Sequence, residues 1–228
     1  MIALTGVHFA YRRGDPVLAG VDLEIGPGLT LLVGPNGSGK STLLKLLSGV
    51  ERPDRGRVVV NGHDLWRDEV AARASLAFVP EHPDLTPYAS VAEILGLVAR
   101  LRDAPRGAVG DALASAGLEA LANRSVRELS MGQRRRAVLA AALIATPHTV
   151  LLDEPLEAMD RSIRATVTTW LDGLLVADHQ VVVATHQLEP FLGQARSALT
   201  LRSGRTVTLS PLPLDPGERA RAVNDLAT

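Results

Sequence analysis

The sequence predicts an α/β fold: a parallel-sheet core, an antiparallel β portion at the N-terminus and a helical insertion. Three observations carry that expectation. The short apolar run 29–33 leads straight into a glycine-rich turn and then a helical stretch, as a strand buried on both faces of a parallel sheet does. Two later apolar runs, 149–152 and 181–184, alternate with helical patterns, the order of βαβ units. Between about 82 and 127 strand patterning gives way to helical spacing. At 228 residues the chain can form one generous domain with a subdomain and a substantial core. The expected division is a single domain over 1–228, with core and β portion at about 1–81 and 128–210. The helical part takes about 82–127, and a tail at 211–228 is too short for a regulatory domain.

Taken in order, Leu4, Val7 and Phe9, then Val17 and Leu18, then 21–25, read as strands punctuated by turns at 14–16 and 26–28. A helix is expected from 40 to about 48, stopped by Gly49, followed by strands at 58–60 and 76–79. Ser90 and Glu93 make a capping box, with Val91, Ile94, Leu95, Val98 and Leu101 at helical spacing behind it. Helices continue at 112–116 and 118–121. Then come a helix at 132–145, the strand 149–152, a helix from 161 to about 176, the strand 181–184, and closing strands at 199–202 and 206–209.

Composition excludes several classes. Hydrophobic residues make up 46% of the chain, yet a run such as 138–145 is less than half of a membrane-spanning helix, so no bilayer crossing is expected. Residues 1–5 lack a basic region leading into a long apolar core, so no secretory signal is expected. Cysteine is absent, which excludes disulfides and thiolate-bound metal and fits the cytosol. A net charge of −1 argues against a polyanion binder, and no nucleic-acid partner is expected. Lysine occurs only at 40 and 45, every other basic side chain being arginine. Keeping lysine at 40 suggests that a compact ammonium is needed there.

The residues that carry chemistry begin with Gly34-Pro35-Asn36-Gly37-Ser38-Gly39-Lys40-Ser41, which matches G-x-x-x-x-G-K-[ST] between a strand and a helix. Glycines let backbone N–H groups converge on phosphates, and the helix N-terminus adds its positive end. Lys40 would reach the β- and γ-phosphates, and the Ser41 hydroxyl would take Mg²⁺. Asp153 and Glu154 end a buried strand. The first suits a Mg²⁺ shell, and the second could polarise a water for in-line attack on the γ-phosphate. His186 follows the strand 181–184, at the carboxyl edge where open α/β sheets place ligands. The element Leu129-Ser130-Met131-Gly132-Gln133 has no use inside a single phosphate-loop core, which suggests that the working unit contains two such chains.

With these residues together, the chain resembles the ATP-binding cassette (ABC) ATPases over about 4–209, through the Walker A loop Gly34–Ser41, the signature Leu129–Gln133 and the Walker B segment 150–154. The resemblance implies a P-loop NTPase core of RecA-like type, and a cassette that packs head to tail with a second copy or a related cassette around two ATPs. It implies that Thr42 joins the Walker A residues in binding nucleotide, that Tyr11 stacks on adenine, and that Ser130, Met131, Gly132 and Gln133 serve the partner's nucleotide. It further implies Glu154 as general base, His186 as the γ-phosphate contact, Asp160 as the D-loop residue that communicates across the dimer, and Glu81 as the Q-loop residue at Mg²⁺ beside Ser41 and Asp153. The membrane spans would lie on a separate permease chain docked at 82–127, placing this chain in the cytoplasm, peripheral on the inner face of the cell membrane.

Four departures from the family pattern stand out. Met131 takes a position where glycine is commonest, and Glu81 replaces the usual glutamine. The D-loop Leu156-Glu157-Ala158-Met159-Asp160 keeps only its alanine and aspartate. Arg134-Arg135-Arg136 reads as a solvated helix face rather than an anion site. Glu81 and Met131 incline the reading towards export. The alternatives are a soluble cassette acting in cofactor assembly or another non-transport role, and a non-hydrolysing regulatory subunit. An intact Lys40, Asp153, Glu154 and His186 weigh against the second.

Overall fold

The computed structural model describes residues 1–12, 14–144, 146–157 and 159–228; the expected helix end at Ala145 and the D-loop Ala158 lie outside the described residues. Strands β1 (Ile2–Phe9), β2 (Leu18–Ile25), β4 (Arg55–Val60) and β5 (His63–Asp64) form an antiparallel sheet in the order β2-β1-β4-β5. Leu4, Val7 and Phe9 are all buried although Leu4 and Val7 are three residues apart. The register slips between them, with Gly6 at φ 56°: a bulge restores the inward face.

The second sheet contains β3 (Gly28–Val33), β6 (Leu76–Val79), β7 (Thr149–Asp153), β8 (Gln180–Ala184), β9 (Ala195–Arg202) and β10 (Arg205–Leu209), ordered β10-β9-β3-β8-β7-β6. All its pairings are parallel except the edge pair of β10 with β9. Every residue of β3, β7 and β8 is buried, which is why these strands read as continuous apolar runs rather than alternating ones.

One face of this sheet carries α1 (Lys40–Ser48) beneath the antiparallel sheet. Leu43, Leu44, Leu46 and Leu47 of α1 are fully buried, at roughly 1.5–3 kcal/mol each. The glycine loop is therefore mounted on an anchored helix, which stops at Gly49 in the left-handed region, φ 74°. The other face carries α6 (Arg161–Val176), whose Ile163, Val167, Leu171 and Leu174 form one buried stripe. A short α2 (Glu69–Ala74) precedes β6.

The helical segment contains α3 (Val91–Leu101) and α4 (Ala108–Ser115), then single 3₁₀ turns at Glu119–Leu121 and Val126–Glu128. The Ser90–Glu93 capping box starts α3. These pieces share an apolar cluster with α5 (Met131–Leu143) through Val91, Leu95, Leu113, Leu118 and Ala140. Arg102, at the end of α3, donates to the carbonyls of Leu76 (3.0 Å) and Ile144 (2.8 Å). That partly buried guanidinium ties the segment to the start of β6 and the end of α5.

The tail holds more structure than its sequence pattern suggested. After α7 (Glu189–Leu192), β9 and β10, the helix α8 (Pro216–Ala227) packs on β9 and β3 with Val223 fully buried. Its start signal was present: Asp215 caps the Glu218 N–H and Pro216 sits in the first turn.

Candidate functional site

The carboxyl ends of β3, β7 and β8 open onto one cleft of about 500 Å³, within the roughly 300–1,000 Å³ range of small-molecule sites. The loop after β3 forms its floor. Gly34 (φ 133°) and Gly39 (φ 103°) take backbone conformations that side chains rarely adopt. A Cβ on Gly34 would meet the Thr200 hydroxyl at 2.8 Å, and one on Gly39 would meet Val17 at 2.9 Å. Asn36, Gly37, Gly39, Lys40, Ser41 and Thr42 line the cleft, whereas Pro35 and Ser38 face a second hollow behind the loop. The Lys40 ammonium donates to the carbonyls of Gly34 (2.8 Å) and Pro35 (3.0 Å), lying across the loop. Tyr11 stands at the rim, 53% exposed, edge-on to Phe9 at 4.9 Å, with its hydroxyl accepting a 3.5 Å bond from Thr42.

Asp153, Glu154, Glu81 and His186 face the loop. Burial holds the Asp153 carboxyl above its usual range, and the nearby charges of Glu81 and Glu154 add to this; the Ser41 hydroxyl and Lys40 pull it back. Crowded carboxylate oxygens beside a hydroxyl are a hard-oxygen donor set, so the residues present fit Mg²⁺. Among the described residues no three His, Asp or Glu side chains form a metal cage. The ion's remaining ligands would therefore be nucleotide oxygens and water.

Glu154 is held from β8. Its backbone lies at φ 48°, a conformation that costs of order 1–3 kcal/mol for such a residue. Its N–H donates to the carbonyl of Ala184 at 2.8 Å. Its carboxylate accepts from the Thr185 hydroxyl (3.0 Å), the His186 N–H (3.1 Å) and His186 Nδ1 (3.0 Å). The hydrogen bond to Glu154 raises the His186 pKa, and the carboxylate's charge adds to it. The charged contact is thus fully present below the ordinary imidazole value and is lost as pH rises through the raised one. By NMR, His186 is expected to titrate above ordinary histidine and to fall back in Glu154→Gln. An unchanged titration in that variant would mean that Glu154 is not its partner.

The signature stretch stands away from this cleft. Ser130 caps α5: its N–H donates to Gln133 Oε1 (2.9 Å) and its hydroxyl accepts from the Gln133 N–H (3.3 Å). Gln133 therefore has a structural task, closing the box that leaves the exposed Ser130 and Met131 at the helix N-terminus, with Gly132 half-exposed. Asp160 likewise caps α6, accepting from the N–H groups of Ser162 and Ile163, both at 3.0 Å.

The arginine run is not a solvated face. Arg134 donates to the carbonyls of Val126 and Arg127, and Arg136 to those of Ala116 and Gly117. Arg135 is 4% exposed and reaches Glu157. A charge run could not reveal this, because the bonds go to carbonyls distant in sequence. Thr185 and Val17 also belong to the site although the sequence reading gave them no role in it, and so does Glu157, which it noted only as part of an unusual D-loop. Only Thr185 had a signal, its place beside His186 at a strand end.

A family model described as ABC transporter matches residues 18–157. The chain belongs to the ABC transporter ATP-binding family. This ABC ATPase is 38% identical over 193 residues to the cytochrome c biogenesis ATP-binding export protein CcmA of Cupriavidus necator, covering 83% of the chain and 85% of the relative. It is 34% identical over 194 residues to the sulfate/thiosulfate import ATP-binding protein CysA of Synechocystis sp., covering 82% of the chain. The match spans 54–63% of the length of the CysA relatives. Among solved structures it is similar to a dimeric post-hydrolysis state of an ATP-binding cassette bound to ADP and Pi, at 26% identity and TM-score 0.77, covering 94% of this chain and 99% of that one. No helix among the described residues is long and apolar enough to cross a membrane.

Proposed function

We propose that this ABC ATPase closes head to tail with a second cassette around two ATPs and thereby drives a separate membrane permease, with export as the direction. The observation that carries the chemical part is the placement of Glu154. Its carboxylate is oriented by three bonds from Thr185 and His186 across the cleft from the Lys40 loop. A base so held accepts the proton of a water aligned with the γ-phosphate. Lys40 turns from the loop carbonyls to the phosphates, Tyr11 stacks on adenine, and His186 releases Glu154 to meet the γ-phosphate. Ser130, Met131, Gly132 and Gln133 present the N-terminus of α5 to the second cassette's nucleotide, and Asp160 sits at the cassette interface. Ser41, Asp153 and Glu81 would hold Mg²⁺. When bound, that ion neutralises charge on the phosphates.

Export is favoured because a relative matched along 85% of its length bears an export name, whereas the import relatives are matched along 54–63% of theirs. The permease would dock on the helical segment, placing the chain on the cytoplasmic face of the membrane. The test is expression with an affinity tag and recovery from detergent-solubilised membranes. A multi-span membrane chain is expected to copurify and to raise ATPase activity in vesicles. Full activity without membrane, with no such chain recovered, would favour a soluble role in cofactor assembly.

A further inference from the structure

Two departures of this sequence from its family's pattern meet in space. Arg135, buried in α5 four residues after its start, donates through Nη1 to the Glu157 carbonyl at 2.7 Å. Its Nη1 and Nη2 lie 3.4 and 3.3 Å from the Glu157 carboxylate. Nε is buried with no hydrogen-bond partner among the described residues. A buried guanidinium with an orphaned N–H is expensive, and a well-packed apolar side chain would occupy the same space more cheaply. What an apolar residue cannot do is hold a carbonyl and a carboxylate of the same loop residue at once.

Glu157 lies between Glu154 and Asp160, and its half-exposed side chain also lines the nucleotide cleft. The loop is held a second time by Arg164, which donates to the Met159 carbonyl (3.0 Å) and to Gln187 beside His186 (3.1 Å). Arg164, itself in α6, ties it to the stretch after β8, whose Thr185 and His186 already hold Glu154. Arg135 ties it to α5, whose N-terminal residues Ser130 and Met131 are exposed.

We propose that Arg135 is a positioning residue for ATP hydrolysis: through Glu157 it sets the loop that carries Glu154 and links that loop to the start of α5. This rests on the reading of Glu154 as base and of Ser130–Gln133 as the surface offered to a second cassette. A displacement of the helix start on meeting the second nucleotide then reaches this chain's own cleft through one ion pair.

The test compares Arg135→Gln, Glu157→Gln and the double variant, with melting temperature, nucleotide affinity and steady-state ATPase measured on each. Arg135→Gln is expected to lower kcat about tenfold or more, as small misplacements of catalytic groups do. KM and ATP affinity should stay within about threefold, since the phosphate loop is untouched. If Arg135 acts through Glu157, the double variant falls no more than about twofold below the worse single one. Wild-type kcat in a folded Arg135→Gln, or losses that multiply in the double variant, overturns the proposal. If Arg135→Gln does not fold, Arg135→Lys replaces it: loss of the fork should lower kcat without moving KM, and wild-type kcat overturns the proposal equally. Glu154→Gln is run alongside. Hydrolysis surviving in that variant would discard Glu154 as base while leaving the Arg135 comparison readable on its own.

Discussion

Replacing Glu154 by glutamine is expected to stop steady-state ATP hydrolysis while leaving ATP binding intact and holding two cassettes together. The substitution keeps the side chain's length; its amide oxygen can still accept from the His186 N–H, and its NH2 faces the Thr185 hydroxyl, whose oxygen can accept in turn. What it removes is the capacity to take a proton. Loss of a positioned general base lowers turnover by about 10²–10⁴-fold, and neither Asp153 nor Glu157 is placed to replace it. Asp153 is buried, 4% exposed, with its carboxyl held above the usual range and engaged by the Ser41 hydroxyl. Glu157 is tied to Arg135. With chemistry stopped and binding preserved, the ATP-bound dimer accumulates, visible as a dimer in size-exclusion chromatography with ATP and a monomer without it. A Glu154→Gln variant that hydrolyses ATP at the parental rate would remove Glu154 from the role of base.

The parts of this molecule that were legible in the sequence are those whose chemistry is local. The loop Gly34–Ser41 is written in consecutive residues because backbone geometry and helix N-terminus must be contiguous to cradle phosphate. The strands β3, β7 and β8 announced themselves because both faces are covered and no polar alternation interrupts them. Contacts made at long range were silent. The Arg135–Glu157 pair spans 22 positions, and as letters it was three arginines in a row and one odd loop. The bulge at Gly6 could be inferred only from the broken alternation between Leu4 and Val7. The helix α8 was overlooked because prolines before it read as a loose end, although Asp215 and Pro216 are a helix start. His186 lay between: its strand-end position was readable, but its bond to Glu154 at 3.0 Å needed the sheet order that sets β8 beside β7.

Lys40→Ala is expected to remove nucleotide binding itself, a step earlier than Glu154→Gln. In the present arrangement the ammonium is shared between the Gly34 and Pro35 carbonyls, two contacts a phosphate oxygen can outbid because its charge strengthens the bond. A hydrogen bond to a charged partner contributes roughly 1.5–3 kcal/mol, and two of them correspond to about 10²-fold or more in Kd. The fold itself should tolerate the change, because α1 is anchored by Leu43, Leu44, Leu46 and Leu47 rather than by its first residue. Thermal melting separates the two effects. MgATP in excess should raise the melting temperature of the parent by mass action and leave that of Lys40→Ala unmoved, while the two proteins melt within a few degrees of one another without nucleotide. Lys40→Arg decides between charge and shape. The guanidinium keeps the charge but presents a planar fork where a compact head fits between two loop carbonyls. If Lys40→Arg binds ATP like the parent, charge alone suffices and the retention of lysine at this position has another origin. If it fails as Lys40→Ala does, the fit of a compact ammonium against the Gly34 and Pro35 carbonyls, at 2.8 and 3.0 Å, is what demands the smaller cation.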